Sequence, residues 1–160
     1  MLRHLSQGRA SISCPSCSTE RPRPGLPDGY VLSFDEIGAK IQELIDIGGT
    51  QILMQGGLVP PEMLPFEWYG DLLRFIKGAF PAIHVHAFSP PEFIEFVHFF
   101  QTPGSTLESK LRWVMEQMEA AGLDSIPGGG GEIFAPAVRR KIGLGKCDAE
   151  AWLTTMRVAH

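Results

Sequence analysis

At 160 residues and 17.6 kDa, with 44% hydrophobic and 20% charged residues, the chain holds enough apolar material for one domain with a packed core. A formal net charge of -4 and a pI near 5.7 exclude the concentrated basic face that nucleic acid requires, and leave small molecules as the expected partners. No apolar run approaches the roughly 20 residues that cross a bilayer, no secretory leader pattern opens the chain, and the odd cysteine count is not a disulfide framework, so a cytoplasmic protein in a reducing compartment, without membrane partners, is expected.

Residues 1–29 carry Pro15, Pro22, Pro24 and Pro27 with scattered arginines and almost no apolar periodicity, and are expected to be irregular. Their first 19 positions hold serines and arginines without acid, the composition of a transit peptide, but lack its amphipathic period. Residues 30–160 then read as a second, ordered unit. Ser33 and Glu36 have capping-box spacing, and Ile37, Ile41, Leu44 and Ile45 fall on one stripe up to Gly48, which predicts a helix over 34–47.

Gln51 to Gln55 form a short apolar run without alternation, as in a parallel strand buried on both faces. Pro65 suits the first turn of a second helix, whose stripe is Phe66, Tyr69, Leu72, Leu73 and Ile76. Ile83 to Phe88 read as a second strand. A capping-box spacing from Ser105 to Glu108 opens a helix that ends at Gly122, and Leu123 to Ile126 read as a third strand. A short helical stretch near Val138 to Ile142 follows, then a helix capped by Asp148. The three strands are spaced as strand, crossover helix and parallel strand units of about 30 residues or more require. A complete eightfold barrel takes roughly 250 residues, so the expected fold class is α/β, a partial parallel (βα) TIM-type barrel, incomplete in this chain.

In such barrels the chemistry sits at the carboxyl ends of the strands. Here those ends are Gln55-Gly56-Gly57, Ser89-Pro90-Pro91-Glu92 and Gly128 to Gly131 with Glu132. Glycine lets backbone amides approach a ligand closely, though a plain loop needing positive φ angles reads the same way. Glu92 and Glu132 suit hydrogen bonds to ribose hydroxyls or proton transfer, and suit helix capping as well. His84 and His86 form an H-x-H that points both rings to one face of a strand, the pairing a metal-dependent barrel hydrolase would use, with no evident third ligand. Cys14 and Cys17 have the spacing of a metal knuckle, yet only Cys147 remains to complement them.

From Gly29 onward the runs GYVLSFDEIGAKIQELIDIGGTQILMQGG, LPFEWYGDLLRFIKGAFPAIHVHAFSPPE, GLDSIPGGGGEIFAPAVRRKI and KCDAEAWLTTMRVAH resemble the radical S-adenosylmethionine enzymes of the futalosine route to menaquinone, above all their dehypoxanthine futalosine cyclases. The resemblance implies a partial (βα) barrel. It also implies a 4Fe-4S cluster on a C-x3-C-x2-C motif, S-adenosyl-L-methionine on the fourth iron, and a 5'-deoxyadenosyl radical that starts cyclisation of a nucleoside substrate of the dehypoxanthine futalosine type.

Carried over by position, Cys14 and Cys17 match the last two cluster cysteines, Ala10 stands where the first belongs, and Ser16 stands where an aromatic residue is usual. Gly56 and Gly57 match the pair that meets the methionine part of S-adenosylmethionine. Ser89, Glu92 and Glu132 match rim segments that face cofactor or substrate. Two cysteines leave two irons without protein ligands, so impaired cluster binding is expected. The family barrel continues past the position of His160, which makes a non-catalytic barrel fragment the alternative. Open sheet edges add an expectation of self-association.

Overall fold

The structure, a computed structural model, describes residues 30–55, 61–142 and 146–160. The N-terminal segment 1–29, with Cys14 and Cys17, and the glycine pair Gly56-Gly57 lie outside the described residues. The elements run α1 (Phe34–Asp46), β1 (Gln51–Met54), α2 (Phe66–Ala79), β2 (His84–Ala87), α3 (Pro90–Phe99), α4 (Leu107–Ala121), α5 (Pro136–Ile142) and α6 (Ala149–Ala159). The strands pair in parallel, Gln51 opposite His84 and Met54 opposite Ala87, as expected of a strand, helix and strand unit.

Helix α1 starts as its sequence dictates: the Glu36 carboxylate accepts from the Ser33 N–H at 2.8 Å and Ser33 Oγ accepts from the Glu36 N–H. The start of α4 lies one residue later than its spacing predicts. Thr106 is the cap, its Oγ1 accepting from the Ser109 N–H and its own N–H donating to Ser109 Oγ, so the pair is Thr106 and Ser109 rather than Ser105 and Glu108. Asp148 caps α6 by accepting from the Ala151 N–H at 2.8 Å, as expected.

Three expectations are corrected. The strand β1 is not buried on both faces: Ile52 and Met54 are buried, whereas Gln51 and Leu53 are exposed, Leu53 at 46%. All the buried strand residues join one core with the helices, so the other face of the sheet, bearing Gln51, Leu53, His84 and His86, is uncovered among the described residues. Helix α3, unforeseen, occupies 90–99 and buries Phe93 and Phe96.

The third strand, finally, is a single parallel bridge between His86 and Ser125. Its shortness has local causes. The Asp124 carboxylate takes the Val85 N–H at 2.7 Å with its side chain, and Pro127, two residues past the bridge, has no N–H to offer a ladder.

Asp124 is the junction of this corner. Lys77 of α2 donates to its carboxylate at 2.7 Å and to the Ile83 carbonyl at 3.0 Å. Gly122 ends α4 in the left-handed region, φ 115°, where a β-carbon would lie 2.4 Å from Lys77 Cγ, so the chain turns into Asp124 over the lysine stem. Partial burial works against the Asp124 charge, but the Lys77 ammonium and the Val85 N–H outweigh it and hold the carboxyl below its ordinary 3.8.

A carboxyl depressed in the folded state contributes stability that is present above its unfolded pKa and lost as pH falls through the folded one. Asp124→Asn is therefore expected to lower unfolding free energy by about 1–3 kcal/mol at neutral pH, the loss narrowing once the pH drops below the ordinary carboxylate range. Urea titrations of both proteins at neutral and acid pH check this; a loss that does not change with pH would contradict the assignment.

Candidate functional site

The three chain segments at the upper end of the sheet do converge. Phe88, directly after β2, has φ 58°, a left-handed conformation that a bulky residue rarely adopts. Its ring is held by Tyr69, Phe93 and Phe96, and its N–H donates to the Met54 carbonyl at 3.2 Å. The reversal it imposes starts α3 at Ser89, against the end of β1. A β-carbon on Gly129 would lie 3.0 Å from Gln55 Nε2 and 3.4 Å from Ser89 Cβ. Gln55, Ser89 and the glycine run thus form one contiguous rim.

Of the expected site residues, Ser89 and Glu92 are brought together and buried, 8% and 7% exposed. The Glu92 carboxylate accepts from the Ser89 N–H at 2.7 Å and from Ser89 Oγ at 2.6 Å, so its visible work is to fix the start of α3 beneath the rim. Glu132 is separate from that pair. It meets Lys146 at 2.8 Å and its side chain is 56% exposed. Partial burial works against its charge, yet the Lys146 ammonium and the backbone N–H groups of Glu132 and Gly130 keep its carboxyl below the ordinary value.

Two residues hold the glycine run in place: Trp152, which the sequence marks only as a packing residue, and Arg139, which it does not mark. Trp152 of α6 donates from Nε1 to the Gly129 carbonyl at 3.0 Å and packs beside Gly128 and Gly131. Arg139 of α5 is 7% exposed and donates to the carbonyls of Ile133 and Cys147, with its guanidinium 5.8 Å from the Phe134 ring centroid. It ties the segment after the glycines to the start of α6. Only the three-dimensional return of α6 reveals these roles, since Trp152 lies 23 positions from Gly129.

On the uncovered face, His84 Nε2 and His86 Nδ1 stand 2.7 Å and 2.6 Å from Ser125 Oγ. The H-x-H does place both rings on one face. Among the described residues, however, no group of three His, Cys, Asp or Glu side chains is placed to hold a metal ion, and the facing nitrogens are engaged by Ser125, so the donor set of a barrel hydrolase is not assembled there. At Cys147 burial, which outweighs the nearby Arg139, pushes the thiol up.

No family model matches the chain. Curated proteins do. It is 42% identical over 144 residues to the cyclic dehypoxanthine futalosine synthase of Halalkalibacterium halodurans, covering 90% of this chain and 36% of that protein. It is 37% identical over 149 residues to the aminodeoxyfutalosine synthase of Thermus thermophilus, covering 93% and 37% respectively. A third relative, the 5-amino-6-(D-ribitylamino)uracil--L-tyrosine 4-hydroxyphenyl transferase of Methanopyrus kandleri, is 37% identical over 147 residues, covering 92% and 37%. The chain therefore spans a little over a third of the length of these relatives. No helix among the described residues is long and apolar enough to cross a membrane. With such identity along nine tenths of its length, the chain belongs to the radical S-adenosylmethionine enzymes that include the futalosine-route synthases.

Proposed function

We propose that this chain is the portion of a radical S-adenosylmethionine cyclase that carries one side of the cofactor rim, acting on dehypoxanthine futalosine in menaquinone biosynthesis, with its cluster-binding end impaired. The 42% identity to a cyclic dehypoxanthine futalosine synthase supports the substrate, and the convergence of Gln55, Ser89 and Gly129 supports the rim. Residues 30–160 would form part of a (βα) barrel whose interior is the uncovered sheet face, preceded by a cluster-binding segment over 1–29.

The rim suits an amino-acid moiety on the donors it presents. Gly56 and Gly57 follow Gln55 in the sequence and would meet the methionine part of S-adenosylmethionine, while Ser89, Glu92 and Glu132 would orient the nucleoside parts. The cofactor and cluster, when bound, supply the reductive start of radical chemistry. This chain's residues bind, orient and exclude water. Cys14 and Cys17 would hold the cluster on one side, and Ala10 leaves the third position unfilled. A non-catalytic barrel relative is the second reading, and Ala10 is the observation that favours it.

Anaerobic reconstitution separates the two. The Ala10→Cys variant is expected to hold a 4Fe-4S cluster with its paramagnetic signature on reduction, and the parent chain substoichiometric iron. Iron in neither protein would leave the non-catalytic reading. Among the described residues the outer edge of β1 has no partner strand, and we propose self-association through it. Light scattering at rising concentration should show mass growing beyond 17.6 kDa; a constant monomer mass would refute it.

A further inference from the structure

We propose that His86, Ser125 and His84 form a proton relay that runs along the uncovered face of the sheet, from the half-buried His86 to the exposed His84, and accepts a proton from a ligand seated on that face. The geometry comes from the backbone. Residues two apart on β2 project the same way, so both rings rise from one face, and the bridge from His86 to Ser125 sets the serine beside them. The rings then approach one hydroxyl from two sides, at 2.7 Å and 2.6 Å.

A hydroxyl carries one hydrogen and accepts through its lone pairs. Both contacts are at full hydrogen-bonding distance, and no other protein acceptor for the Ser125 hydrogen is found among the described residues. The arrangement that uses this hydrogen has one histidine donating to Oγ and the hydroxyl donating to the other. That is a wire. His86 is half-buried and His84 exposed, which gives the wire an inner and an outer end.

The transfer balances without any co-reactant. A ligand N–H or O–H bond breaks heterolytically and leaves its electron pair on the ligand as His86 Nε2 takes the proton. His86 Nδ1 passes its own hydrogen to Ser125 Oγ, Oγ passes its hydrogen to His84 Nε2, and His84 Nδ1 releases one to water. Burial first, and the charge of His84 second, hold His86 below the ordinary imidazole value, which favours the neutral, proton-accepting ring.

Among the described residues the charged neighbour is Asp124, beside the bridge and itself paired with Lys77, while the register partners across β1, Gln51 and Leu53, carry no charge. The ligand's identity, a nucleoside, rests on the proposed function. The relay itself does not.

The relay makes a sharp demand on tautomers. His84 faces Ser125 with Nε2 and His86 with Nδ1, so one ring donates and the other accepts only if both carry hydrogen on the same-named nitrogen, both Nδ1 or both Nε2. Nitrogen-15 spectra of the labelled full chain at about pH 8.5, two units above the ordinary histidine value, read this directly without cofactor. Matching tautomers are expected. Opposite tautomers would overturn the relay, since both rings would then point a hydrogen, or both a lone pair, at the serine.

A hydrogen bond of purely structural value could still give a match, so a second readout is kinetic. In His84→Phe, which keeps Ser125 over His86 Nδ1 and removes only the outer end, solvent exchange of the His86 ring hydrogen should slow by roughly a hundredfold, the lower end of what a positioned acid or base contributes. An unchanged exchange rate would also overturn the relay. Failure of cluster or S-adenosylmethionine binding by the same protein would count against the proposed function alone.

Discussion

The contact on which the rest of the sheet depends is the one between the Asp124 carboxylate and the Val85 N–H. A parallel strand normally satisfies its amides with the next strand, and here a side chain takes that place at the start of the ladder. With the Asp124 and Ser125 amides both donating to the Val85 carbonyl, the register of the third segment is fixed to within one residue. A slip by one would turn Ser125 away from the histidines. Lys77 supplies the opposite charge from α2, so the pairing of the third segment, the seat of α2 and the exit of α4 are settled at one point.

At the other end of β2 the constraint is steric. Phe88 holds a left-handed backbone that costs of order 1–3 kcal/mol for a residue with a β-carbon. The aromatic cluster offsets it: Tyr69 and Phe96 lie 6.3 Å and 5.4 Å from the Phe88 ring, centroid to centroid, and all three are buried. The conformation turns the chain sharply enough for α3 to begin at once, leaving Ser89 against the glycine run.

Much of this was legible beforehand, and the parts that were not have physical reasons. Ser33 with Glu36 and Asp148 before α6 are local signals, satisfied within four residues, and they read true. Ser89 with Glu92 is the same kind of signal, followed by prolines suited to a first helical turn, and of the two roles its position at a strand end leaves open to Glu92, helix capping is the one its contacts show. The third strand failed because propensity cannot reveal that an aspartate side chain will take the place of a ladder bond. The double burial expected of β1 failed because Leu53, apolar by type, lies on a face that nothing among the described residues covers. Trp152 and Arg139 act across the fold and leave no local trace.

The four consecutive glycines show how structure divides a single sequence signal. Gly130 has φ 83° and would press a β-carbon to 2.6 Å from Pro91 Cγ, so conformation and space both demand glycine. Gly131 would meet Trp152 Cζ2 at 2.9 Å, and Gly129 would meet Gln55 Nε2 at 3.0 Å. Gly130 and Gly131 are accounted for by the closing of the rim on itself and on α6, whereas at Gly129 only the far end of the Gln55 side chain would have to give. Gly128 is different: its φ lies outside the left-handed region, it is exposed, and a β-carbon there would find only Trp152 Cζ2 at an ordinary 3.8 Å. Neither packing nor backbone strain asks for glycine at that position. What remains is an unhindered backbone next to the rim residue Gly129, which is what close approach by a ligand requires. Within the proposed function, the ligand-binding content of the run therefore narrows from four residues to Gly128 and Gly129, with Gly130 and Gly131 acting as the frame that holds them in place.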